Sequence, residues 1–253
     1  MIPVLIPEWS APVGVKAAFS LRSGGTSTAP WDSLNVGAHV GDSPSSVRVN
    51  RQRLVSALAL PAEPIWLEQV HGIEVYTAAE GARGVDVSDV RPVADAAVTR
   101  AADVVLAIQV ADCLPVLLCS AEGTVLGAAH AGWRGLAAGV LEATVAAMQT
   151  EPASLHAWLG PCIGPAHFEV GEEVREAFLQ AGDSPAAFTL NPRGRWQCDL
   201  PGLARHRLER LGVRSISGGE ECTVADPVRF FSHRRDRQTG RMVALLWRPS
   251  VRI

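Results

Sequence analysis

The chain has 253 residues, 47% of them hydrophobic and 19% charged, with a formal net charge of −3. That length and composition suit one large mixed domain with a sizeable core, and the slight acidity excludes a general electrostatic attraction to nucleic acid. The longest apolar run, Val104 to Cys119, is broken by Gln109, Asp112 and Pro115, so it falls short of the roughly 18 residues of a membrane-spanning helix.

The N-terminus, Met1-Ile2-Pro3-Val4, carries neither the basic region nor the cleavage site of a secretory signal, and a cytoplasmic location is expected. The positive charge is almost all arginine, with Lys16 the only lysine, which composition bias explains more readily than function. Cys113, Cys119, Cys162, Cys198 and Cys222 form no disulfide framework, so reduced thiols are expected.

In chain order, Val13 to Leu21 reads as a strand ending in Arg22-Ser23-Gly24-Gly25-Thr26-Ser27, a turn whose exposed N–H groups could receive an anion. Ser43-Pro44 predicts a helix N-terminus, with the helix running to about Leu60 and Val47, Leu54 and Leu58 inward. Ile65 to Tyr76 is strand-like, and alternation would place Leu67, Gln69 and His71 on one face. Val104 to Val110, Val116 to Cys119 and Val125 to Ala129 are short apolar runs, the pattern of strands covered on both faces. Gly135 to Gln149 has the spacing of one amphipathic helix. A strand over Leu155 to Leu159, helices over Glu172 to Ala181 and Leu203 to Leu211, and a closing strand over Met242 to Trp247 follow. The mixture lacks strict βαβ regularity, which favours an α+β class, a layered sandwich with mixed β-sheets, as one domain over 1–253.

Three residues stand where strands meet turns: His71, Cys113 and His130. Two imidazoles and a thiolate suit zinc, and three protein ligands leave a fourth position for water or substrate. Structural zinc normally takes four ligands, often in C-x-x-C pairs, and no such pair exists here. If the three converge, the site is catalytic. Arg22, Arg48, Arg134, Arg234 and Arg235 are the arginines in or beside the neighbouring motifs, and one or two are expected to meet phosphate or substrate through the guanidinium fork. Asp112 could orient an imidazole or cap its turn, Asn35 could bond a ribose or stabilise a turn, and Cys162 could form a site wall. Asp95 and Asp112 are the candidate general acids; His39 and His233 are weaker polar candidates.

Taken together, the segments Arg22-Ser23-Gly24-Gly25, Ser33-Leu34-Asn35-Val36-Gly37, His39-Val40-Gly41-Asp42, Gln69-Val70-His71-Gly72, Ala111-Asp112-Cys113, His130-Ala131-Gly132-Trp133-Arg134-Gly135, Gly160-Pro161-Cys162-Ile163-Gly164 and Phe231-Ser232-His233-Arg234-Arg235-Asp236 resemble the YfiH-type family, known also as laccase-domain proteins and polyphenol oxidases. The resemblance implies a layered fold, zinc at His71, Cys113 and His130, and phosphorolysis of adenosine or inosine to base and ribose 1-phosphate. It also implies methylthioadenosine phosphorolysis, adenosine deamination and phenol oxidation as activities of members. His233 departs from an expected aromatic residue at that position.

Rival readings remain at this point. A multicopper centre needs many histidines, and the 7 present include no H-x-H pair, so copper would be confined to the single site. The H-x-E…P-C-x-x-C pattern of zinc deaminases is absent. Cys113 with His130 or His71 could instead form a Cys-His hydrolase or amidase, and a zinc-stabilised interaction protein is the non-enzyme alternative.

Overall fold

The computed structural model describes residues 2–87 and 89–250; Met1 and the last three positions of the expected 1–253 domain lie outside them. Strands are β1 (Val4–Leu5), β2 (Lys16–Ser20), β3 (Val75–Ala78), β4 (Ala96–Thr99), β5 (Val105–Val110), β6 (Leu114–Ser120), β7 (Leu126–Ala131), β8 (Leu155–Leu159), β9 (Glu169–Val170), β10 (Phe188–Leu190), β11 (Trp196–Cys198), β12 (Ser215–Gly218) and β13 (Met242–Trp247). Helices are α1 (Pro44–Ala57), α2 (Trp133–Ala138), α3 (Val140–Met148), α4 (Glu172–Gln180), α5 (Leu200–Arg210) and α6 (His233–Asp236). No helix among the described residues is long and apolar enough to cross a membrane.

The strands form a four-stranded sheet β1-β2-β13-β5, a six-stranded sheet β12-β8-β6-β7-β4-β3 and a small sheet β10-β11-β9. The larger sheet is mixed, because β3 runs parallel to β4 and β12 parallel to β8 while the inner pairs are antiparallel. This is the expected α+β class with mixed sheets.

Alternation sorts the core into layers. On β5, Leu106, Ile108 and Val110 pack with Leu117, Ala128, Met242 and Ala244 between the two large sheets. Val105 and Ala107 point the other way, joining Val243, Leu245, Leu54 and Trp66 beneath α1. Val116 and Leu118 on β6 face Leu141, Val145, Ala204 and Leu208 of α3 and α5. Strands β5, β6 and β7 are thus buried along their whole length, as the apolar runs required.

Three expectations change. Ile65 to Tyr76 is no continuous strand: Ile65 and Glu68 make isolated bridges to Leu106 and Val93, and the ladder starts only at Val75. A left-handed turn at His71, φ 62°, breaks the alternation that would have placed Leu67, Gln69 and His71 together. The helix over Gly135 to Gln149 is two helices, because Gly139 adopts φ 104° and begins α3 afresh. Ser43 does precede α1 with proline behind it, but its hydroxyl meets Ser45 rather than a backbone N–H.

Register sets the position of the site. Leu114 pairs with Ala131 and Pro115 with His130, bringing the start of β6 beside the end of β7. Ala96 pairs with Ala129, so the residue before β4, Asp95, lies next to His130.

Candidate metal centre

One ligand atom from each of His71, Cys113 and His130 lies within 4.8 Å of the others. His71 Nε2 and Cys113 Sγ are 3.8 Å apart, and the imidazoles meet edge to face with centroids 4.8 Å apart. Side chains from a loop, a strand start and a strand end therefore share one small volume. Gly132 keeps it open: a Cβ there would stand 2.9 Å from both Cys113 Sγ and His71 Cδ2. Gly132→Ala is expected to weaken metal affinity about tenfold to a hundredfold by overpacking, without removing any ligand; competition with a chromogenic chelator measures it.

Asp95 is the anchor. Its carboxylate, fully buried, accepts the backbone N–H groups of Val70 at 3.1 Å, His71 at 2.9 Å and Gly72 at 2.7 Å. It also lies 2.8 Å from His130 Nδ1, which leaves Nε2 as that ring's free donor atom. Burial opposes its ionisation, yet the bonds from His130, Gly72 and Val70 outweigh that and hold the carboxyl below its ordinary range. One carboxylate thus fixes both the left-handed turn carrying His71 and the ring of His130.

Burial likewise opposes ionisation of the Cys113 thiol, but the two imidazoles, His130 foremost, bring it down to about 6. His130 is correspondingly held up to about 9 by Cys113 and Asp95, against the burial that would strip its proton. A preformed thiolate is what a metal ligand or a nucleophile requires.

The remaining candidates divide. Asp112, at φ 87°, accepts from Thr223 Oγ1, Ser232 Oγ and the Arg234 N–H, not from a histidine; it moors the 232–235 segment beside Cys113. In the Arg22–Ser27 turn, three successive N–H groups are engaged within the protein: Gly25 donates to Ser33 Oγ, Thr26 to Asn50 Oδ1 and Ser27 to the Ser33 carbonyl. Arg22 is spent on the carbonyls of Asp32 and Pro227. Arg48 forms a two-pronged exposed pair with Asp86. Arg235 reaches the carbonyls of Thr223, Val224 and Phe230. Arg134 is exposed and stacks on Trp133. The amide of Asn35 is filled by Gly37, Asp42 and the Arg241 N–H, which makes it a turn stabiliser. Cys162 is fully buried behind the site and burial pushes its thiol far up.

Beside Cys113 lies a cavity of about 150 Å³, walled by Trp133, Ile163, Phe168 and Leu200, with Asp112, His233 and Arg234 at its polar parts. Arg234 alone of the five arginines borders it, with its guanidinium bonded to the Glu169 carbonyl. The mooring role of Asp95 had no clear mark in the sequence beyond a carboxylate immediately preceding a strand; a His-Gly turn in need of an acceptor is the signal that points to it.

The family model described as multi-copper polyphenol oxidoreductase laccase matches residues 16–249. Purine nucleoside phosphorylase YfiH of Escherichia coli K12 is 47% identical over 247 residues, covering 98% of this chain and 99% of that protein. Purine nucleoside phosphorylase PA4543 of Pseudomonas aeruginosa is 49% identical over 246 residues, covering 96% and 97%. Among solved structures, Neisseria meningitidis protein NMB0706 superposes with a TM-score of 0.90 at 42% identity, over 98% of this chain and 99% of that one. YlmD from Geobacillus stearothermophilus gives 0.88 at 33% identity, over 98% and 100%. Sequence match, fold and the gathered His-Cys-His group agree: the chain belongs to the multi-copper polyphenol oxidoreductase laccase family, alongside its YfiH-type purine nucleoside phosphorylases.

Proposed function

We propose that this chain is a zinc-dependent purine nucleoside phosphorylase acting on adenosine and inosine, with methylthioadenosine as a further substrate. The observation that carries the reading is the third donor. A Cys113–His130–Asp95 row alone would make a nucleophilic triad, but His71 has no task in a triad, and the protein holds it by a left-handed turn and three N–H bonds to Asp95. Non-glycine residues in that region cost about 1–3 kcal/mol and persist where function needs them. Among the described residues this is the only such group found, which supports one ion rather than a copper cluster.

The donor set fits zinc: His71 Nε2, the Cys113 thiolate and His130 Nε2 would hold it, and it would supply Lewis acidity toward an oxygen of phosphate or substrate. In the reaction a phosphate oxygen bonds to C1′ of the ribose as the C1′–N9 bond breaks, and the electron pair leaves with the purine, which takes a proton. The flat walls of Trp133 and Phe168 suit a purine ring. His233 borders the same cavity, and its Nδ1–H donates to the Arg237 carbonyl at 2.6 Å, so that a second proton taken up by the ring would sit on Nε2, the atom left to pass it to the departing base. His233→Phe is expected to lower kcat about a hundredfold with little change in the nucleoside KM; steady-state kinetics check it.

The test of the reading is inosine supplied with and without phosphate: ribose 1-phosphate must form only with it. Adenosine deamination would appear as inosine made without phosphate. A Cys-His hydrolase is the second reading, favoured by the depressed Cys113 thiol and the carboxylate behind His130. It requires activity that survives chelator and disappears on thiol alkylation.

A further inference from the structure

None of the five arginines singled out by sequence is positioned as a ready phosphate ligand, but three others, Arg51, Arg91 and Arg241, gather around the segment from Val36 to His39. The turn from Val36 to His39 is gripped from two sides. Arg51, on α1 and 2% exposed, gives Nε and Nη2 to the Val36 carbonyl at 3.0 and 2.9 Å and lies 3.8 Å over the Trp66 ring. Arg241 passes against Gly37, where a Cβ would come 2.7 Å from its Cγ. The Arg241 backbone bonds to Val36 N–H and to Asn35 Oδ1.

His39 closes this turn at the surface, where partial desolvation and the positive field of Arg241, Arg91 and Arg51 hold its imidazole below the ordinary range. Arg241 in turn feels Cys113 and Asp112, so the cluster borders the ligand group.

Acceptors are missing here. Arg51 Nη1 and Arg91 Nη1 are buried without hydrogen-bond partners, as is the hydroxyl of Thr239, a residue 1% exposed and two positions before Arg241. The carboxylates nearest Arg51 are committed elsewhere: Asp86 to Arg48, and Glu63 to Trp66 Nε1. Buried donors left unpaired cost stability unless something fills them. Several N–H groups arriving from different elements suit a tetrahedral oxyanion, and guanidinium is the group of choice for it.

We infer that Arg51, Arg91, Arg241 and His39 form the subsite for inorganic phosphate, placed beside the His71–Cys113–His130 group. Its place in catalysis rests on the phosphorylase reading; the anion site itself does not.

The experiment is calorimetric titration of inorganic phosphate into the full-length protein, zinc-loaded and metal-free, in parallel with the phosphate KM. Arg91→Gln, at a half-buried loop position, should weaken phosphate about tenfold to a hundredfold in both metal states while the nucleoside KM stays near wild type. Arg241→Lys is the second variant, in case Arg91→Gln loses its fold. Unchanged phosphate affinity in folded Arg91→Gln and Arg241→Lys overturns the subsite. Arginine-dependent phosphate binding without inosine turnover upholds the anion site and removes the phosphorylase reading. Phosphorolysis with an unaltered phosphate KM in both variants does the reverse.

Discussion

Cys113→Ala protein, purified without added metal, is expected to hold far less than one zinc per chain and to lose roughly a thousandfold in inosine phosphorolysis, the several kcal/mol that a metal supplies to developing charge. Cys113 is the only ligand that can carry a negative charge, and His130 and His71 pull its thiol down to about 6 against the burial around it. Removing it leaves two imidazoles, one of them 3% exposed and still tied to Asp95. Elemental analysis and turnover together make the check. His71→Ala separates this account from the nucleophile reading: it should remove the metal and the activity while leaving Cys113 open to alkylation.

Asp95→Ala is expected to act on metal and fold at once. Loss of the carboxylate behind a ligand histidine typically costs about tenfold to a hundredfold in metal affinity. Here the same carboxylate also satisfies the N–H groups of Val70, His71 and Gly72, and buried donors left unpaired cost about 1–3 kcal/mol each. The His71 turn then loses what holds it in its left-handed conformation. The pH dependence has a definite sign. Asp95 is held below its ordinary pKa, so it stabilises the fold at pH values above the unfolded carboxylate range, and that contribution is lost as pH falls through its lower folded value. The gap between wild type and Asp95→Ala in urea midpoint should therefore be widest near neutrality and shrink under acid. Asp95→Asn should not rescue it, because an amide presents donors where four donors already converge.

The strands of the core were readable because burial on both faces leaves an unmistakable apolar run, as in Val105–Val110 and Met242–Trp247. Gly139 was harder: its neighbours keep helical spacing on both sides, and only φ 104° reveals the break. The 65–76 segment misled for a related reason. Its β-branched and aromatic residues suit extended backbone, but Asp95 bends it at His71, and that partner lies 24 residues away. The ligand candidates were legible from residue type and motif. The arginines were not, because proximity to a motif says nothing about where a long side chain ends. Arg48 and Arg51 share α1 one turn apart; one meets Asp86 in solvent, while the other is buried beside the Val36 turn.

The central claim is best tested by titrating chelator-stripped protein with zinc while following phosphate-dependent cleavage of inosine. The rate should start near zero, rise in proportion to added zinc and break at one equivalent per chain. A full rate before any zinc is returned would contradict it.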